Sequence, residues 1–304
     1  MKIKRLMFIT GLIIIAAGCY IMMNRKFDPL ARYQYYIDAK EHTMITSKLN
    51  QKEIEYLIEY AIAPYEFIDY MEYSGFNIYA IDEYNRLYQA YGWLESKEMI
   101  MRLVNATRNL YSYEQLDELI NNYYFYEIVQ YYEDGNTELL AVGVNAIDFV
   151  FPKDRTVGYL TPKDLVISSI KGIDDSEIYL RQEASDALDE MIGDLKLAYN
   201  RQYQNLRLNS GFIAYQQLVD LYNTSKQDRY KPGHSEYQLG LAVQFAIKGV
   251  SDDEYANQVL AKWLEDNAYL YGFVQIDREY EVENAYRYVG KQKALSLNEV
   301  VTQD

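Results

Sequence analysis

Residues 180–199 read LRQEASDALDEMIGDLKLAY, followed by LRLNSGF at 206–212 and YQQLVDLYN at 215–223. In the first stretch Leu180, Ala184, Ala187, Leu188 and Met191 fall at the spacing that lays one apolar stripe along a helix. LRLNSGF reads as a short strand, and YQQLVDLYN returns to helix. Farther on, a helix over roughly residues 252–270 is opened by Ser251 and carries Tyr255, Val259, Trp263 and Leu264 on one side. Helices interleaved with short strands imply an α+β fold.

Toward the N-terminus, FPKDRTVGYLTPKDLV at 151–166 brings prolines and turn residues, so the α+β domain is expected over residues 149–304. Residues 47–148 read as two degenerate helix-strand repeats, with chance similarity as the competing reading. The first copy, TSKLNQKEIEYLIEYAIAPYEFIDYM at 46–71, opens with a Ser/Thr cap signal and places Ile54, Leu57, Ile58 and Ala61 at helical spacing, with a stop near Pro64. The second, SYEQLDELINNYYFYEIVQYY at 112–132, repeats the cadence with Leu116, Leu119 and Ile120. Each is expected to lead to a short apolar strand, Met99–Ala106 and Leu139–Ala146, both ending in Val-Asn-Ala. Residues 27–46 read as a polar connector in which His42 is solvated.

Residues 6–23, LMFITGLIIIAAGCYIMM, carry no charge, and as a helix they would reach about 27 Å. A transmembrane helix within an N-terminal anchor of residues 1–26 is therefore expected. The balance of Lys2, Lys4 and Arg5 against Arg25 and Lys26 slightly favours a cytoplasmic N-terminus. That gives a single-pass protein of the cell membrane with an extracytoplasmic C-terminal domain. Cleavage at Ala16-Ala17-Gly18 with a lipidated Cys19 is the competing reading; the apolar run continues past Cys19, which favours an uncleaved anchor.

Composition removes several functions. Lys and Arg number 30 against 45 Asp and Glu in 304 residues, a formal charge of −15, so no cation excess exists to displace the counterions of a nucleic acid. A single cysteine excludes internal disulfides and thiolate zinc fingers, and two histidines, His42 and His234, leave little for metal or acid–base chemistry. The 34 tyrosines supply amphipathic bulk suited to half-buried surfaces.

Five blocks then occur in one order: Leu180-Arg181 with Glu183-Ala184; Ser210-Gly211-Phe212 through Tyr215; Gly233-His234-Ser235-Glu236 through Ala242; Asn267-Ala268-Tyr269 with Tyr271-Gly272-Phe273; and Arg287-Tyr288-Val289-Gly290. Together they resemble the VanY-like D-alanyl-D-alanine carboxypeptidases, zinc enzymes that trim terminal D-alanine from bacterial cell-wall peptides. The resemblance covers about residues 144–304 and implies a domain of the Hedgehog/D,D-peptidase type, with an antiparallel sheet holding the metal.

Zinc hydrolysis of a peptide bond needs about three N or O ligands, an open position for water and a carboxylate base. The resemblance places the ligands at Tyr237, Gln244 and Ala285, the base at Val282 and the substrate's carboxylate clamp at Ile213. None of these residues supplies the required chemistry. No catalytic residue is therefore intact and no cofactor is expected, although the family implies zinc. The resulting expectation is a pseudoenzyme whose groove, formed by Phe212, Ile213, Tyr215, His234, Ser235, Tyr237, Gln244 and Arg287, binds a peptidoglycan peptide or an envelope protein. The competing reading is an active carboxypeptidase with displaced ligands, recruiting His234, Glu236 and Glu281 or Glu283. A Ser235–His234 pairing is weaker, because sequence neighbours seldom face each other. The pairs Asp174-Asp175 and Asp252-Asp253 read as turn and helix-start residues before they read as a calcium site.

Overall fold

The computed structural model describes residues 11, 13–20, 28–141, 155–199, 203, 205–250, 255–276 and 284–301. The chain divides into two compact units, Met1–Met101 and Arg102–Asp304.

The expected membrane span is corrected. Among the described residues no helix is long and apolar enough to cross a membrane, which overturns the transmembrane element and the single-pass localisation built on it. Within residues 6–23 the described residues are 11 and 13–20, and they are helical. Residues 1–10, 12 and 21–27 lie outside the described residues.

The first unit is helical. Helix α1 (Ala39–Lys48) falls largely in the stretch expected as connector, and is started by a capping box between Asp38 and Glu41. Helix α2 (Gln51–Glu59) begins at Asn50, whose side chain accepts from the Lys52 and Glu53 amides, and buries Ile54 and Leu57. It stops before Pro64 because Ala61 turns into the left-handed region at φ 53°, letting the Ile62 amide donate to the Leu57 carbonyl at 3.1 Å. Pro64 instead opens α3 (Pro64–Phe67), where its missing N–H costs nothing. Helix α4 (Ile81–Tyr91) buries Ile81, Tyr84 and Leu87. Met99–Ala106, expected as a strand, lies inside α5 (Lys97–Thr107). Its buried residues Ile100, Leu103, Val104 and Thr107 follow helical spacing, which a short apolar run does not reveal by eye.

In the second unit, α6 (Tyr113–Asn122) starts from a Ser112–Gln115 capping box and α7 (Phe125–Glu133) buries Phe125, Ile128 and Val129. Strand β1 (Leu139–Leu140) pairs in parallel with β2 (Arg155–Thr156). The expected strand to Ala146 otherwise lies outside the described residues. Strand β3 (Leu165–Ile167) pairs with β4 (Tyr179–Arg181), which feeds α8 (Gln182–Ala198). Next come β5 (Leu206–Ser210), α9 (Tyr215–Ser225), β6 (Ala242–Ile247), α10 (Tyr255–Asn267), β7 (Phe273–Gln275), β8 (Ala285–Tyr288) and α11 (Lys291–Val301).

The last four strands form one antiparallel sheet in the order β5-β6-β8-β7. One face carries Leu206, Leu208, Val243, Phe245, Ile247, Phe273 and Tyr286 into a core shared with Leu188, Met191, Ile192 and Leu195 of α8 and Leu260 and Leu264 of α10. Burying a side chain of this kind stabilises the fold by roughly 1.5–3 kcal/mol. The result is a mixed α/β architecture with helices packed on one face of the sheet.

Candidate functional site

Side chains alternate along a strand, so those between the core residues of β6 and β8 point to the opposite face. They are Ala242, Gln244 and Ala246 on β6 and Ala285 and Arg287 on β8. Register sets Gln244 directly opposite Ala285 and Ala242 opposite Arg287. On its other side Gln244 faces Ser210, reached through a register shift between Leu208 and Ser210 that bends the end of β5. The two strand positions implied as zinc ligands are therefore cross-strand neighbours. Their Cβ atoms stand about 5 Å apart in such a pair.

The turn of residues 233–240 is held from several sides. Gly233, at φ 79°, accepts through its carbonyl from the Val157 amide and the Thr156 hydroxyl, both at 2.8 Å. Gln238 is fully buried; its Nε2 donates to the Gly158 carbonyl at 2.8 Å and its Oε1 accepts from the Gly233 amide at 2.9 Å. Ser235, also buried, donates its hydroxyl to the Arg229 carbonyl at 2.7 Å. The turn closes at Gly240, φ 68°, whose carbonyl accepts from the Arg181 amide at 2.8 Å. The positive φ favours glycine here, and a Cβ would also crowd Leu165 Cδ2 at 2.7 Å, a side-chain end that would have to move.

Within that turn Glu236 reaches Arg287 on β8, with Nε–Oε2 at 3.1 Å and Nη1–Oε1 at 3.2 Å. Burial pushes the Glu236 carboxyl above its ordinary range, and the Arg287 guanidinium opposes that push. Tyr237 is buried; desolvation and then the neighbouring Tyr230 hold its hydroxyl well above the usual tyrosine range, against the charge of Arg229. Its carbonyl accepts from the Ile213 amide at 3.3 Å, which brings the former clamp position to the same turn. Phe212 is placed by its amide on the Tyr179 carbonyl at 2.8 Å. Tyr215 opens α9 and sets its ring edge-on to Tyr159 at 6.4 Å. His234 is half-buried, and burial followed by the nearby Lys231 lowers its basicity.

The structure thus brings Tyr237 to Ile213 and Gln244 to Ala285, and uses Ser235 as a structural tie. Val282, with Glu281 and Glu283, lies outside the described residues. Zinc does not fit the three positions that the resemblance assigns to it. A phenol held neutral, a carboxamide and a methyl group offer no charged or imidazole donor to offset the ion's dehydration. Among the described residues no group of three His, Cys, Asp or Glu side chains is placed to hold a metal ion.

Sequence reading missed three features. Gln238 fastens the turn, Arg181 pairs with Asp164 at 2.9 Å beneath it, and Arg229 lies beside Tyr237. A polar residue between buried neighbours has no periodic signature, and the partners of Gln238 lie as far as 80 residues away in sequence.

A helix-backed antiparallel sheet whose free face lies against a glycine-bounded turn is the class of domain that fold and site define here. Residues 177–291 match the family described as VanY, D-alanyl-D-alanine carboxypeptidase, and this stretch is a domain of that family. The chain is 28% identical over 192 residues to the carboxypeptidase-like protein YodJ of Bacillus subtilis (strain 168), covering 54% of this chain and 69% of that one. It is 30% identical over 104 residues to a D-alanyl-D-alanine carboxypeptidase of Enterococcus faecium, covering 34% of this chain and 32% of that protein. Among solved structures, the LdcB LD-carboxypeptidase is 28% identical, with 50% of this chain and 79% of that chain covered and a TM-score of 0.39.

Proposed function

We propose that the VanY-family domain of this chain is a non-hydrolytic module that binds a peptidoglycan peptide ending in D-alanyl-D-alanine. The peptide class follows from the family's described substrate. The observation that carries the loss of hydrolysis is the cross-strand pair Gln244–Ala285 on the face of the sheet opposite the helices, with Tyr237 in the turn beside it. At these places a peptidase of this type needs ligand atoms, and the chain offers none that bind zinc well. The surrounding framework is kept: Gly233 and Gly240 at positive φ, the Gln238 staple and the core face of the sheet.

The competing reading, an active peptidase with migrated ligands, draws on His234 and Glu236. It is weakened because Glu236 is already engaged by Arg287. Zinc analysis of the purified full chain, together with D-alanine release from a peptide ending in D-alanyl-D-alanine, separates the two. Binding without zinc or release supports the proposal, and stoichiometric zinc with release overturns it. Failure to bind the peptide moves the assignment to a protein partner of the cell envelope.

A further inference from the structure

We infer that Arg229 is the carboxylate-recognition residue of this domain, taking the terminal carboxylate of a bound peptide; this rests on the peptide-binding reading above. Four other arginines of the same unit are matched to acids: Arg102 to Glu133, Arg181 to Asp164, Arg207 to Asp175 and Arg287 to Glu236. Arg229 is placed differently. Its guanidinium lies over the Tyr230 ring, 4.8 Å from the centroid, and its Nε is buried with no hydrogen-bond partner among the described residues. A buried donor without an acceptor carries a desolvation cost that a ligand oxygen would remove. The residue as a whole is half-buried rather than sealed.

Position points the same way. The Arg229 carbonyl is fixed by the Ser235 hydroxyl, the Tyr230 ring lies 6.3 Å from the Tyr237 ring at a 32° tilt, and the Tyr237 hydroxyl feels the Arg229 charge. Because Tyr237 also holds the Ile213 backbone and its neighbour Glu236 pairs with Arg287 of β8, Arg229 stands at the turn that lies beside the Gln244–Ala285 face of the sheet. Of the other cations nearby, Arg287 is neutralised by Glu236, and Lys231 offers a point charge rather than a fork. A planar, permanently charged fork stacked on an aromatic ring suits a carboxylate, which accepts two parallel N–H bonds. In a chain of net charge −15, such a local cation selects for an anionic end where the overall field would repel it.

The test uses the full chain and three probes: a peptide ending in D-alanyl-D-alanine, the same peptide as its C-terminal amide, and acetate. Calorimetry should show the free acid binding about tenfold tighter than the amide, with acetate competing only at high concentration. Arg229→Gln should bring the two peptides to within about twofold of each other. Its affinity for the amide and its thermal midpoint should stay unchanged, and Arg229→Lys should keep part of the preference. Equal binding of acid and amide by the wild type, or a preference that survives Arg229→Gln, overturns the inference while leaving peptide binding intact. A lowered midpoint with loss of both peptides assigns Arg229 a structural role and also overturns it. No binding of either peptide by the wild type removes the peptide-binding reading and this inference together.

Discussion

Glu236 and Arg287 join the turn of residues 233–240 to strand β8 through two contacts, at 3.1 and 3.2 Å, with the arginine side chain 3% exposed. Two charges removed from water this far stabilise a fold only as a pair. Arg287→Met should therefore cost about 3–5 kcal/mol, because it strands a buried carboxylate. The double variant Glu236→Leu/Arg287→Met should recover most of that loss, a coupling that denaturant unfolding of all four proteins would measure. The pH response follows from the raised Glu236 pKa. A carboxyl whose folded pKa lies above its unfolded value contributes stability that is complete below the unfolded value and lost as pH rises through the folded one. The Arg287→Met deficit should accordingly be largest near neutral pH and shrink as pH falls through the raised folded pKa of Glu236, which lies above the ordinary carboxyl range and rises further once the guanidinium is gone. A deficit that does not depend on pH would place the charge elsewhere.

The pairing of Gln244 with Ala285 makes the proposed loss of a metal site testable by reversal. Tyr237→His, Gln244→Asp and Ala285→His together would restore two imidazoles and a carboxylate, and Val282→Glu would add the base. The triple variant should take up about one zinc per chain where the parent takes none, read by elemental analysis after dialysis. No uptake in a variant that still unfolds cooperatively would mean that the free face does not bring the three side chains together.

Gln238→Leu tests the staple that the sequence did not reveal. The change keeps the volume but leaves the Gly158 carbonyl and the Gly233 amide buried without partners, a loss of about 2–4 kcal/mol in unfolding free energy. An effect below about 1 kcal/mol would show that water replaces the amide there.

What could be read in advance divides along physical lines. The stripe Leu180, Ala184, Leu188 and Met191 was legible because burial on α8 and its strand repeats at a fixed interval, and all four residues are fully buried. The positions Tyr237, Gln244 and Ala285 were singled out because framework glycines and aromatics flank them in sequence, and the register pairs the last two across β6 and β8. Met99–Ala106 was misread because a short apolar run fits either element until its neighbours are packed. The apolar run at residues 6–23 was long enough in composition, whereas no helix among the described residues is long and apolar enough to cross a membrane. Gln238, Arg229 and the Glu236–Arg287 pair were hidden because each depends on partners brought together only by the tertiary fold.

His234 should give the domain a mild sensitivity to acid. Burial and Lys231 lower its pKa, so its contribution to stability is present above the unfolded value of about 6.5 and lost as pH falls through the folded one. The raised carboxyls of Glu183 and Glu236 act in the opposite direction as pH falls, so the effect should be read as a difference. The gap in thermal midpoint between the parent and His234→Gln should shift in favour of the variant between pH 7.5 and 5.5. A gap that stays constant would show that the imidazole charges as readily folded as unfolded.

Ala61 offers a stabilising change in the first unit. It ends α2 at φ 53°, a conformation in which an L-residue's Cβ crowds the following carbonyl, at a cost of roughly 1–2 kcal/mol. Glycine removes that crowding but enters folding with a more flexible unfolded chain, which offsets part of the gain. Ala61→Gly should therefore raise stability by about 0.5–1 kcal/mol. Because the Ala61 and Ile62 amides already close the end of α2 on the Ile58 and Leu57 carbonyls, the substitution needs no new hydrogen bond. Urea unfolding should show a higher midpoint at an unchanged slope, since the surface exposed on unfolding is the same. A lower midpoint would mean that the methyl group packs favourably enough to outweigh its strained backbone.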